Sequence, residues 1–354
     1  MNFSKRLALN LVVIGSFVVS GPAGIGSVRA AAAPASMAQD RGPNELGWIP
    51  IIMYHAVGGP PEFDPGPLYD IHGLNISPAT FRHQIQLMYD AGWYPVNVRT
   101  ILSARINVPR GKTPVAITFD DARPSQFRYL PDGRLDPDCA VGILEAFHRA
   151  HPRDWPRRAT FYIMPESKYN GVPFDQDGLE RKKLRYLVRM GYEIGNHSLA
   201  HPNMSRLSAS RLRWEMAECV RGIHRLVPHL KIDSMAIPYG VPPKDHHLWH
   251  WLLHGTEGGV TYTNRCMLLV GNGPSYSYVD KRFDRTRVPR IVPKPGNLET
   301  WIKKLQPGTL MPPFMSDGDT NLVTIPANLA SFLDRSRLHE AGHVGLVVTP
   351  AQVR

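Results

Sequence analysis

Short unbroken apolar runs alternate along the chain with longer stretches in which apolar residues recur at helical spacing. Ile49-Pro-Ile-Ile-Met-Tyr-His55 is such a run, read as a buried strand that starts just after Pro50. Ser77-Pro78 then marks a helix start, with serine as N-cap and proline at the first helical position. Phe81, Ile85 and Met88 keep helical spacing until Gly92. Trp93–Val98, Pro114–Phe119, Ala159–Met164, Tyr192–Ile194 and Ser234–Ile237 read as further strands, the second of these the clearest. Cys139–His148, Leu179–Met190 and Ser208–Val227 read as helices. Weaker strand signals lie at Gly259–Thr263, Arg290–Val292, Thr309–Met311 and Val344–Val348, and Pro326–Glu340 looks helical. Strands alternating with helices predict an α/β fold around a parallel sheet, either open or closed into a barrel. In both forms catalytic groups gather at the carboxyl ends of the strands.

The two ends of this pattern and one interruption differ from the rest. Lys5 and Arg6 precede a nearly unbroken apolar run, Leu7–Val19, and small residues follow up to Ala32, the pattern of a secretory signal peptide over 1–32. The run covers 13 residues, short of the roughly 20 that a spanning helix needs. Residues 33–47, rich in Ala, Pro, Gln and Gly, read as a linker, and 48–354 as one main domain. Residues 122–138 are polar, carry three prolines and read as an inserted loop. The chain of 354 residues has a formal charge of +11, which falls to +8 without Lys5, Arg6 and Arg29 of the leader. A secreted or periplasmic protein has little access to nucleic acid, so an anionic envelope polymer or lipid headgroup suits that charge better. Three cysteines exclude a disulfide scaffold and leave at least one thiol unpaired.

Candidate chemistry sits at the predicted strand ends. Asp120 and Asp121 close the clearest strand, where neither carboxylate can be buried unpaired at low cost. On an extended chain the two point to opposite sides, so one could hold a cation while the other takes a proton. A simple helix-capping role is the alternative. His197 and His201, four apart after the fifth strand, would share one face of a helical turn and could bind one ion. One carboxylate and two imidazoles at one sheet edge make a three-ligand divalent site with open positions, the catalytic form of such sites. An ion there would activate water, and the spare carboxylate would take the proton, which describes amide or ester hydrolysis.

Tyr54-His55, Thr118-Phe-Asp-Asp121, Ala159-Thr-Phe-Tyr162, His197-Ser-Leu-Ala-His201 and Pro238-Tyr239-Gly240 stand in an order that resembles the polysaccharide deacetylase family, the NodB-homology carbohydrate esterases. Met53-Tyr-His-Ala-Val57 and Arg287-Val-Pro-Arg-Ile291 look like its exported, poly-N-acetylglucosamine-deacetylase-like branch. The resemblance covers about residues 48–300, with 301–354 less clear. It implies a distorted (β/α) barrel, Asp120 as general base, and Asp121, His197 and His201 as ligands, usually of zinc. It also implies that the backbone N–H of Tyr239 helps hold the oxyanion.

Three departures stand out. The arginine that usually orients the base would fall on Ala236, and Arg290 is the candidate replacement. The usual acid histidine near the last strands is missing, and His55 is the candidate substitute, with a pocket-shaping histidine as the alternative. Ala122 replaces the usual glycine after Asp121. His339 and His343 read as surface residues, and His246, His247, His250 and His254 as a Trp-rich stretch without a second metal. The expected function is removal of acetyl groups from an N-acetylglucosamine-type polysaccharide, with water activated by Asp120. The alternatives are an O-acetyl esterase and a carbohydrate-binding chain with an impaired site.

Overall fold

The structure, a computed structural model, describes residues 42–58, 74–166, 171–271, 273–340 and 344–351. The expected leader at 1–32 and the linker up to residue 41 lie outside the described residues. Seven strands form the main sheet: β1 Ile51–Tyr54, β2 Trp93–Val96, β3 Thr113–Phe119, β4 Thr160–Ile163, β5 Glu193–Asn196, β6 Ser234–Ala236 and β7 Cys266–Leu268. Their order is β1-β3-β4-β5-β6-β7, with β2 also beside β3, and every pairing is parallel. Between strands run α1 Pro78–Asp90, α2 Ala140–Ala150, α3 Glu180–Met190 and α4 Ala209–Leu226, with α5 Asn297–Lys304 after the last strand.

The ring closes through residues 288–291. Val288 bridges Leu268 at one side and Ile291 bridges Ile52 at the other, both in parallel. The product is the distorted (β/α) barrel that the family resemblance implies, one of the two forms that the alternating pattern leaves open. All seven residues of β3 are buried, because helices cover one face of the sheet and side chains fill the other. Such strands read as continuous apolar runs instead of alternating ones. Tyr54, Phe81, Phe119 and Phe161 stack beneath the carboxyl edge, Phe119 and Phe161 nearly parallel with centroids 4.8 Å apart. Each such ring contributes about 1.5–3 kcal/mol on burial, and the stack anchors the strand ends that carry polar groups.

Local signals explain the helix limits. Ser77 Oγ accepts the Thr80 N–H at 3.0 Å, and Ser208 Oγ that of Arg211 at 3.3 Å. Gly191 ends α3 in the left-handed conformation. The weaker expectations fare unevenly. Thr309–Met311 forms no strand. Val260–Thr263 pairs antiparallel with His254–Glu257 in a hairpin off the main sheet, turned by Gly258 and Gly259, both at positive φ. Pro326–Glu340 is split into a 3₁₀ turn, Ala327–Phe332, and a short helix, Arg335–Glu340, because buried Leu333 and the cap Asp334 divide it.

The linker boundary also moves. Asn44 pairs through its backbone with Met315, and a Cβ on Gly47 would lie 2.2 Å from the Pro313 carbonyl. Residues 44–47 therefore belong to the domain. They pack on the C-terminal part, where Leu322–Pro326 and Gly345–Thr349 form a parallel pair. Glu45 is buried there and accepts the Thr324 N–H at 2.9 Å. Burial, reinforced by nearby Asp317, pushes its carboxyl up to about 8. Because the folded value exceeds the unfolded one, Glu45 costs nothing below about pH 4.5, and stability is lost as pH rises from there through 8. Glu45→Gln should therefore melt several degrees above the parent at pH 8.5 and close to it at pH 4.5, as read by thermal denaturation. Equal shifts at both pH values would contradict a buried, titrating carboxyl.

Candidate metal and catalytic site

Parallel register sets His55 and Asp120 side by side. Tyr54 pairs with Phe119, and the Asp120 N–H donates to the Tyr54 carbonyl at 2.9 Å. Beyond Asp120 the chain does not stay extended, contrary to the expectation for neighbouring carboxylates. Asp121 and Ala122 have φ of 75° and 49°, a left-handed turn that brings both carboxylates to one site. For alanine this costs on the order of 1–2 kcal/mol. The Phe174 N–H holds the turn by donating to the Ala122 carbonyl at 2.8 Å.

His197 and His201 are likewise not on a helical turn. Ser198 and His201 sit at φ 64° and 54° in an irregular loop after β5. Asn196 Oδ1 accepts from Ser198 N–H, Ser198 Oγ from His201 N–H, and Glu215 Oε2 from the N–H groups of Leu199 and Ala200. Glu215 lies on α4, fully buried, with Arg211 on its other oxygen at 2.7 Å.

The ligand atoms of Asp121, His197 and His201 all lie within 4.8 Å of one another. His197 Nδ1 donates to the Ala236 carbonyl at 2.8 Å, which turns Nε2 toward Asp121 Oδ1 at 3.1 Å. His201 Nε2 is 3.5 Å from the same oxygen. Two imidazole nitrogens and a carboxylate oxygen this close together could hold one metal ion. Burial opposes charge on all three. At His197 the carboxylates of Asp120 and Asp121 outweigh it and raise the pKa, whereas at His201 burial and the neighbouring His197 lower it to about 4. The Asp121 carboxyl is held far below its usual range by His197, His55 and Arg123. Two imidazoles and one carboxylate with room for further ligands fit a borderline divalent ion such as zinc.

Arg290 comes from the segment that closes the barrel, two ladder positions from Ala236. Ala236 pairs with Leu268, and Leu268 bridges Val288. Its Nη1 and Nη2 meet Asp120 Oδ1 and Oδ2 at 2.8 and 2.7 Å, a two-pronged pair with both groups buried. Burial works against the Asp120 charge, yet Arg290 and His197 hold its carboxyl below the ordinary range. His55 Nε2 lies 4.0 Å from Asp120 Oδ2. Burial lowers the His55 pKa against the pull of both carboxylates. Its Nδ1 is buried without a hydrogen-bond partner among the described residues. Tyr239, also left-handed at φ 58°, stands half exposed at the rim, its ring edge-on to His201 with centroids 4.4 Å apart.

Residues 107–249 match the family model described as polysaccharide deacetylase. Over that segment the chain is similar to the polysaccharide deacetylase family. A chitooligosaccharide deacetylase from Bradyrhizobium is 25% identical over 137 residues, 38% of this chain and 50% of the relative. The chain thus spans about half the length of the curated relatives it matches. The fold is similar to that of Streptococcus pyogenes deacetylase PplD, with a TM-score of 0.52 and 20% identity over 72% of this chain and 98% of that one. A polysaccharide deacetylase from Bacillus cereus gives a TM-score of 0.51 and 14% identity over 72% and 68%.

Some site residues carry no sequence signal of their own. Gln126 Nε2 donates to the carbonyls of both His55 and Asp120, at 2.8 and 2.5 Å. Arg123 holds Asp121. Both lie in the stretch read only as an inserted loop, where a Gln or Arg is unremarkable. The four histidines at 246–254 form no three-ligand cluster among the described residues. His339 is exposed, His343 lies outside the described residues, and the three cysteines are buried and free. No described helix is long and apolar enough to cross a membrane.

Proposed function

We propose that this chain is a zinc-dependent deacetylase that hydrolyses N-acetyl groups on an N-acetylglucosamine-type envelope polysaccharide. The observation that carries this reading is the convergence of Asp121, His197 and His201 beside an Asp120 gripped by Arg290. A divalent ion held by the three ligands would supply Lewis acidity to the acetyl carbonyl and to water. Asp120, with both oxygens on Arg290, is a weak base. It can take a proton only from a strongly acidified donor, which is why the base and the ligand set belong together. The Tyr239 backbone N–H, presented by the left-handed turn, stabilises the negative oxygen that develops on the attacked carbonyl. Burial keeps His55 neutral at rest, so the proton it delivers to the leaving amine arrives during the reaction from Asp120. The leader pattern at 1–32 supports action in the periplasm or outside the cell. The Met53–Val57 and Arg287–Ile291 stretches support the poly-N-acetylglucosamine-deacetylase-like branch.

The test is acetate release from matched N-acetyl and O-acetyl oligosaccharides, with and without chelation and zinc add-back, for the parent and His55→Gln. Zinc-restored release from the N-acetyl series is expected. His55→Gln should lose about 10²-fold or more on the amide and less on the ester, whose alcohol leaves with less help from an acid. Release confined to O-acetyl oligomers makes the chain an esterase. Sugar binding without turnover under any divalent ion makes it a carbohydrate-binding protein.

A further inference from the structure

The two oxygens of Asp121 have different surroundings. Oδ1 faces His197 Nε2 and His201 Nε2 at 3.1 and 3.5 Å. Oδ2 accepts two hydrogen bonds from one guanidinium, Arg123 Nε at 3.0 Å and Nη2 at 2.9 Å. A carboxylate can hold a divalent ion through one oxygen or through both, and here the second oxygen is already committed. We infer that Arg123 is a positioning residue that keeps Asp121 a one-oxygen ligand, leaving more of the ion's coordination sphere for substrate and water.

The backbone makes this arrangement specific. Asp121 and Ala122 turn left-handed, and Arg123 then leaves at φ −65°, ψ 150°. That extended conformation is the one the following Pro124 imposes on the residue before it. Left-handed turn plus extended residue sends the Arg123 side chain back over Asp121. The same turn carries Gln126, which ties the carbonyls of Asp120 and His55, so one short segment steadies both carboxylates. Arg123 is about one-third exposed, while Asp121 is nearly covered, so the pair lies at the rim with its contact face sheltered. A lysine would keep the charge there but offers no fixed pair of donors to one oxygen.

The inference rests on the metal-centre reading, and the experiment separates the two. The full chain is loaded with Co²⁺ in place of zinc, and its visible absorption is recorded for the parent, Arg123→Ala and Arg123→Lys. Cobalt absorbs more strongly at low than at high coordination number. Arg123→Ala frees the second oxygen, so its cobalt band should weaken severalfold. Its kcat should fall by about 10–100-fold, the usual cost of losing a partner that orients a ligand, with KM changed by less than about twofold. Arg123→Lys should fall between, and it decides the matter if the alanine variant does not fold. A parent that takes up Co²⁺ with unchanged bands in the folded variants overturns the role of Arg123 alone. A parent that takes up no Co²⁺ overturns the metal centre and this inference with it.

Discussion

Arg290→Met is expected to lose about 3–5 kcal/mol of stability and almost all of the proposed acetate-releasing activity. The guanidinium and Asp120 are both buried and joined through both oxygens, and removing one partner of such a pair leaves an uncompensated charge. The effect on Asp120 has a defined sign. In the parent its folded pKa is lowered, so its contribution is present above the unfolded pKa and is lost as pH falls through the folded value. Without Arg290 burial dominates and the folded pKa rises, so stability should instead decline as pH increases above about 4. The double variant Asp120→Asn/Arg290→Met removes the stranded charge and should be more stable than Arg290→Met alone at pH 8. Denaturant unfolding at pH 5 and pH 8 measures the stabilities, and acetate release measures the activity. A single variant as stable as the parent at pH 8 would show that the pair contributes nothing.

That Arg290 could be singled out at all shows what kind of information the chain makes legible. Adjacent aspartates after an apolar strand, histidines four apart and an arginine opening a weak strand pointed to side chains that the structure brings together. Backbone handedness did not. Asp120-Asp121 on an extended chain would diverge, and His197 with His201 on a helix would align. In fact left-handed residues at 121, 122, 198 and 201 do the converging, and only a few per cent of non-glycine residues adopt that region, too few to announce it from sequence. Those conformations are imposed by partners distant in sequence, Phe174 on Ala122 and Glu215 on the 199–200 amides. The closing segment gave only the weak strand signal at Arg290–Val292 for a related reason. The 288–291 segment carries Pro289 and bridges its neighbours at single residues, so it lacks the apolar run that marks a strand. Gln126 escaped notice because its partners are carbonyl groups, which every residue has.

Asp120→Asn and His197→Ala should part company in a way that separates base from ligand. The asparagine is nearly the same shape and can still accept one hydrogen bond from Arg290, but it cannot take a proton. It should release acetate about 10²–10⁴-fold more slowly while binding zinc at the same stoichiometry. His197→Ala removes an imidazole whose Nδ1 is fixed on the Ala236 carbonyl and whose Nε2 faces Asp121. Two ligands remain, so both bound zinc and activity should disappear, and added zinc should not restore them. Metal content per chain together with acetate release distinguishes the two patterns. An Asp120→Asn variant at full rate would reassign the base, and His55, 4.0 Å from Asp120 Oδ2, is another proton acceptor close by. A His197→Ala variant that kept its zinc would mean that the ion sits elsewhere. The left-handed turns at 121 and 198 would then have gathered those side chains for some other cation.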